Sequence, residues 1–150
     1  MITYINEGDI FLIPGVNNYA HGCNCAGAMG KGIAVTFKEK FPKMYQEYKQ
    51  LCRNKQFTPG DVFMHNYGGG MVFNLGTQQS WTTKATIEAV ATSLGKMLWL
   101  AKENHVDKIA LPKIGAGLGK LDWDDVKQVI DKQAAAYPDI ALFVVENFKG

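Results

Sequence analysis

Apolar positions change their period repeatedly along the chain, and each change marks an element. Short runs that are apolar continuously or at every second position fall at residues 2–5, 19–23, 62–65, 71–75, 108–111 and 140–145. Bounded by Gly, Pro, Asn or Asp, they predict strands. Between them the period lengthens to three or four. From Thr83 onward, Ile87, Ala91, Leu94, Leu98 and Ala101 form one stripe, the pattern of an amphipathic helix lying on a sheet. A second stripe, Trp123, Val126, Ile130 and Ala134, follows Asp122. That carboxylate suits an N-cap, and Asp124 and Asp125 complement the helix dipole in the first turn. Residues 31–51 predict a third helical stretch, divided at Pro42, whose ring ends one helix and fits the first turn of the next.

Strands separated by helices of this length predict an α/β fold with a mixed sheet covered on both faces. In such sheets ligands gather at the carboxyl ends of the strands, in the loops that lead into helices. Composition adds limits. At 150 residues, 47% hydrophobic and without linker, repeat or low-complexity segment, residues 1–150 are expected to form one domain. A net charge of +2 is too small to steer the chain onto duplex DNA or an anionic membrane by charge alone, whereas a partner with a few phosphates fits. The N-terminal residues carry neither a signal-peptide pattern nor a membrane span, so a cytoplasmic protein without membrane attachment is expected. Cys23, Cys25 and Cys52 do not suggest a secreted disulfide framework. His21, Cys23 and Cys25 share one strand face, but alternate strand residues stand ~6–7 Å apart, too wide for one zinc without a turn. No metal and no cofactor are expected.

Chemistry concentrates in two glycine-rich loops between strand and helix. The first is Asn24-Cys25-Ala26-Gly27-Ala28-Met29-Gly30-Lys31-Gly32-Ile33-Ala34; the second is Pro112-Lys113-Ile114-Gly115-Ala116-Gly117-Leu118-Gly119-Lys120-Leu121-Asp122-Trp123. Glycines there let successive N–H groups converge on an anion at a helix N-terminus. Neither the dinucleotide spacing nor the P-loop Gly-Lys-Ser/Thr is present, which argues against a nicotinamide dehydrogenase and an NTPase. One such loop reads most simply as a tight connection; two in one small domain point to a diphosphate clamp. Near the N-terminus, Gly8-Asp9-Ile10 places a carboxylate after the first strand, where it serves as a turn or cap residue or accepts the exocyclic amine of a base.

Taken together, Gly8-Asp9-Ile10, the run 21–34 and the run 112–123 resemble the macrodomain family of ADP-ribose-binding modules. The wording of Met29-Gly30-Lys31-Gly32-Ile33-Ala34 and Pro112-Lys113-Ile114-Gly115-Ala116-Gly117-Leu118 is similar to one branch in particular. That branch holds the terminal ADP-ribose glycohydrolases, the DNA ADP-ribosyl glycohydrolase antitoxins and the ADP-ribose-1''-phosphate phosphatases. The resemblance implies a three-layer α/β/α sandwich with the ligand along the crest of the sheet. It implies that Asp9 meets adenine beside the Ile10 backbone, and that Asn24, Thr77 and Gln78 border the distal ribose. It further implies that Ala28, Met29, Gly30, Lys31, Gly32 and Ile33 close over the phosphates from one side, and Ile114, Gly115, Ala116, Gly117, Leu118 and Gly119 from the other. The partner implied is ADP-ribose or an ADP-ribosylated protein or nucleic acid, bound by a monomer.

One departure matters. Glycohydrolase members carry a lysine after the threonine that follows the fourth strand, and here Leu75-Gly76-Thr77-Gln78 puts an amide in that place. An amide orients a hydroxyl but forms no Schiff base. The aspartate of the terminal glycohydrolase type is also replaced, by Gly119. Candidates to supply chemistry are Asn24, Gln78, His21 and Asp122, alongside a water positioned by the ligand's own diphosphate. His21 also reads as a core histidine, Asp122 as a cap and Lys84 as a surface lysine. Trp81 reads as a wall of the distal-ribose end or as a core anchor, and Phe148 as an adenine neighbour or a packing residue. Three functions follow: a hydrolase acting on an ADP-ribosyl linkage or a small derivative of ADP-ribose, a reader without turnover, and an accessory nucleic-acid module.

Overall fold

The computed structural model describes residues 1–150. Six strands, β1 (Ile2–Ile5), β2 (Tyr19–Asn24), β3 (Val62–Asn66), β4 (Met71–Gln78), β5 (Lys108–Leu111) and β6 (Ala141–Val145), form one sheet in the order β1-β6-β5-β2-β4-β3. All neighbouring pairs are parallel except β3 with β4. The helices are α1 (Ile33–Lys40), α2 (Pro42–Arg53), α3 (Ile87–Glu103) and α4 (Trp123–Ala134), with a short 3-10 turn at Ile10–Leu12.

Period-two alternation sorts the strand side chains between two cores. Ala20, Phe73, Leu75, Ile109, Leu111, Leu142 and Val144 face α3 and α4, packing under Val90, Leu94, Met97, Val126 and Ile130. Tyr19, Cys23, Val72, Ala110 and Val145 face the other way, against Ile10, Phe37, Met44 and Tyr48 of the 3-10 turn, α1 and α2. Both faces are therefore apolar, as a parallel sheet requires, and the molecule is a three-layer α/β/α sandwich.

Caps set the helix ends. Asp122 Oδ1 accepts the Asp124 N–H at 2.8 Å, as its position before the stripe suggests. The helix expected from Thr83 instead begins at Ile87, because the Thr86 hydroxyl accepts the Ala89 N–H at 3.1 Å and ends the preceding loop. Likewise α1 starts at Ile33 rather than residue 31, since Gly32, at φ +64°, is its N-cap. Strand β4 runs on past Leu75 to Gln78, and β2 past Cys23 to Asn24. The β2–β4 register slips between Cys23 and Asn24, so that Thr77 is skipped. Such irregularities re-aim side chains at the end of a strand.

Candidate functional site

Every loop leaving the carboxyl end of a parallel strand opens on the same edge of the sheet, and a cleft of about 340 Å³ lies there. That size is usual for small-molecule sites. Its walls come from Lys31, Gly32, Ile33 and Ala34 of the first glycine loop, and from Ile114, Gly115, Gly117, Leu118 and Gly119 of the second. Thr77 and Gln78 close the β4 end, and Val145, Glu146 and Phe148 line the stretch after β6. The other residues expected at a site stand behind or beside these walls. Met29 and Ile10 are buried in the second core, so only their backbones are free to face a ligand. Asp9 caps the 3-10 turn through Oδ1, which accepts the Phe11 N–H at 2.8 Å. A bridge between Gly8 and Phe148 holds that turn against the cleft-lining Phe148. Ala28, Gly30 and Ala116 belong to the two loops without lining the cleft.

The cleft edge is rich in unsatisfied donors. No backbone N–H from Gly30 to Ala34, and none from Gly117 to Gly119, donates to an acceptor within the protein. Consecutive free N–H groups of this kind form anion-binding concavities. Gly117 adds a second sign: nothing lies within 4 Å of where its Cβ would stand, and its φ is ordinary, so the protein itself gives no reason for the missing side chain. Leu118, though 59% exposed, reaches across to Gly32, where the two loops approach each other over the cleft.

Charge is distributed to match. Lys31 and Lys113 line the cleft, and Lys84 and Lys120 stand in the neighbouring loops. None of the four is in an ion pair, and residues 28–34, 77–86 and 112–121 contain no carboxylate. Glu146 is the one acid on the wall.

Two side chains expected to meet a sugar have work within the protein. Asn24 Oδ1 accepts the N–H groups of Ala26 (3.0 Å) and Ala28 (3.3 Å) and the Tyr48 hydroxyl (2.9 Å), while Nδ2 donates to Ala28 O at 2.8 Å. It fastens the first loop and retains one free N–H. Gln78 donates through Nε2 to Ser80 O (2.8 Å) and Thr83 O (2.9 Å), so only its carbonyl oxygen is left to accept from a ligand. Those bonds fold the loop that carries Trp81, and Ala85 ties the same loop to Gly119 O at 3.0 Å. Trp81 is 67% exposed, which removes the core-anchor reading. Its loop was expected to be helical from Thr83, and Lys84 stands exposed in it.

The buried polar residues behind the cleft are structural. His21 stacks on Phe37 at 3.8 Å and its Nε2 lies 2.6 Å from Asn74 Oδ1. Burial lowers its pKa to about 4, against the smaller opposing effect of Asn74, so it is a neutral core histidine. Burial likewise pushes the Cys25 thiol up to about 12. All three cysteines are free thiols, and no three His, Cys, Asp or Glu side chains gather closely enough to hold a metal. No helix is long and apolar enough to cross a membrane. Sequence reasoning missed Glu146, Pro112, Lys113, Ala34, Gly22 and Val145 as cleft residues. For Glu146 the only signal was its place directly after the last strand.

Comparison with known proteins identifies the family and its fold. The Macro domain family model matches residues 20–130. The chain is 35% identical over 150 residues to a DNA ADP-ribosyl glycohydrolase of Thermus aquaticus, covering 97% of this chain but 41% of that protein. It is 34% identical over 131 residues to the human ADP-ribose glycohydrolase OARD1, covering 87% and 82% of the two chains. Among solved structures, the macrodomain of Mycobacterium tuberculosis DarG superposes with a TM-score of 0.91 at 29% identity, covering 97% of both chains. The chain thus spans about two-fifths of the length of the DNA ADP-ribosyl glycohydrolases it matches.

Proposed function

The chain belongs to the macrodomain family, and from that premise we propose that it binds an ADP-ribosyl end group in the cleft and releases ADP-ribose by hydrolysis of the linkage to its carrier. The two runs of free backbone N–H groups, 30–34 and 117–119, carry this reading. All but Gly30 of these residues line a cleft of about 340 Å³ between the two loops, and a diphosphate suits donors on both sides. Asp9 and Phe148 form the adenine end, and Thr77, Gln78 and the free N–H of Asn24 the distal-ribose end. We place the protein in the cytoplasm, where free thiols persist, as a monomer of one domain over residues 1–150.

A nucleic acid is the carrier we favour. Lys31 and Lys113 line the cleft, Lys84 and Lys120 lie in the loops that follow β4 and β5, none of the four has an ion-pair partner, and an exposed indole, Trp81, shares the loop of Lys84. Lysines track a phosphate backbone, and an aromatic face stacks an unpaired base. The names of the relatives support hydrolysis on DNA and on other ADP-ribose derivatives alike.

One observation favours a second reading, a reader without turnover. Gln78 stands where related glycohydrolases carry a lysine, and both its N–H groups are spent on loop carbonyls. Hydrolysis in this cleft therefore falls to a water placed by the ligand's diphosphate. The deciding experiment incubates the protein with ADP-ribosylated single-stranded DNA and ADP-ribosylated protein and follows free ADP-ribose. Release from the DNA, reduced by Trp81→Ala, is the expected result. Binding to both without release makes the protein a reader. Gln78→Lys places an amine against the Ser80 and Thr83 carbonyls, which hold it as the ammonium ion. Any gain from that variant should therefore grow as pH rises from 6 to 9.

A further inference from the structure

Glu146 stands out because a carboxylate on the wall of an anion-binding cleft repels the ligand's phosphates unless it meets a part of the ligand that carries hydroxyls or amines. Its position is fixed from several directions. Its backbone N–H donates to Ile5 O at 2.8 Å, which locks it to the end of β1. Its Oε2 accepts the Trp123 indole N–H at 2.7 Å and lies 3.6 Å from Lys127 Nζ. Two residues of α4 thus hold one oxygen. The other oxygen, Oε1, has no hydrogen-bond donor in the protein, while the side chain is 23% exposed and lines the cleft. Glu146 is two residues from Phe148, which also lines the cleft and bridges to Gly8 beside Asp9. It therefore lies at the end of the cleft remote from Thr77 and Gln78, next to the proposed adenine contacts.

We infer that Glu146 is a specificity-determining residue whose carboxylate, oriented by Trp123 and Lys127, accepts the hydroxyls of the adenosine ribose and excludes ligands phosphorylated there. This rests on the proposed ADP-ribose reading and extends it to a choice between two ligands of the same skeleton. The chemistry is that by which an acidic residue selects a free 2'-hydroxyl over a 2'-phosphate in dinucleotide sites. A diol offers two O–H donors to a carboxylate, whereas a phosphate ester brings negative charge against negative charge with one side of the site already desolvated. The neighbouring Lys127 does not reverse this, because it already faces Oε2.

The test is calorimetric titration of wild type, Glu146→Gln and Trp123→Phe with ADP-ribose and with its 2'-phosphate, with thermal melts of each protein. Wild type should prefer ADP-ribose by about 100-fold, the worth of one charge-assisted hydrogen bond and its reversal into repulsion. Glu146→Gln should cut that preference to less than about 10-fold, mostly by tightening the 2'-phosphate, and Trp123→Phe should fall between. A purely structural Glu146 would weaken both ligands together, so an unchanged ratio in a folded Glu146→Gln protein overturns the assignment. Equal wild-type affinity for the two ligands overturns it as well. Wild-type silence toward both overturns the ADP-ribose reading, and this assignment with it.

Discussion

The two glycine loops meet the same cleft but are held in opposite ways. The first is fastened by side chains: Asn24 bonds to Ala26 and Ala28 along its own loop, and Tyr48 reaches in from α2. The second has no such fastener. It is held by turns of its own backbone, Ala116 N–H to Lys113 O, Lys120 N–H to Gly117 O and Leu121 N–H to Gly115 O, and by close packing. A Cβ on Gly119 would stand 2.6 Å from Gly115 O and 2.8 Å from Ala85 Cβ, whereas one on Gly117 would touch nothing. Within one loop, then, glycines two residues apart exist for different reasons, one for the protein's own packing and one for whatever enters the cleft.

That contrast is broken most sharply by a pair of substitutions. Gly117→Val should reduce ADP-ribose affinity by more than about 100-fold with the stability change of an ordinary surface site, within about 0.5 kcal/mol. Gly119→Ala should instead destabilise the fold by about 1–3 kcal/mol through overpacking, a loss of roughly 3–10 °C in thermal midpoint. Calorimetry and melting curves on both proteins read the two effects, and equal losses of stability would erase the distinction.

Acid probes the first loop. His21 lies on β2, the strand that leads into this loop, and stacks on Phe37 of the helix that leaves it. Its folded pKa of about 4 is below the ordinary 6.5, so the unfolded chain binds the extra proton first. The stability is complete above about pH 6.5 and is lost as pH falls through 4, about 2 kcal/mol by pH 5 and on the order of 3 kcal/mol in all. Denaturant midpoints at pH 7 and 5 should show this loss, and His21→Phe should flatten it whatever its own stability. Amide exchange at pH 5 should quicken at Cys25, Ala26 and Ala28 before Ala116, Lys120 and Leu121, the bonded amides of the two loops.

A smaller effect sharpens the comparison from the fastener itself. Asn24→Ala removes the acceptor of the Ala26 and Ala28 N–H groups and one of the two acceptors the Tyr48 hydroxyl meets, the Asn24 backbone oxygen at 2.7 Å remaining. It should cost about 1–3 kcal/mol and weaken ADP-ribose about 10-fold through the loosened loop. Tyr48→Phe should do a fraction of each. An Asn24→Ala protein with wild-type stability and lost binding would move Asn24 from fastener to ligand contact.

Much of the fold was legible because it rests on periodicity. The stripe from Trp123 to Ala134 buries Val126, Ile130 and Ala134; of the stripe from Ile87 to Ala101, Leu94, Leu98 and Ala101 are buried while Ile87 and Ala91 are half-buried, and Val90 and Met97 complete the face. The cleft walls at residues 31–33 and at most of 114–119 were legible for a related reason, since glycines between strand and helix leave a local signature. What stayed hidden depends on long-range partners. The role of Asn24 is set by Tyr48, 24 residues away, and by an i to i+4 bond that no pattern announces. Glu146 acquires its meaning only from Trp123 and Lys127 across the third dimension. The late start of α3 followed from Thr86 rather than Thr83 taking the cap, a competition between neighbouring threonines that spacing alone leaves open.

The pairing of β1 with β6 has a consequence for the making of the protein. The Met1 amino group bonds to Ile140 O across a separation of 139 residues, and the Gly8–Phe148 bridge is as distant in sequence. During translation at ~5–20 residues per second, the first strand must wait ~7–28 s for its partner to be synthesised. Meanwhile both glycine loops and the strands between them are already in the growing chain. The residues of both proposed phosphate loops are thus synthesised before β6 and Phe148, which complete the proposed adenosine end. Until β6 pairs with β5 and β1, Phe148 is not bridged to Gly8 and Asp9 stands without it, so the proposed adenosine end is the last part of the cleft to be completed.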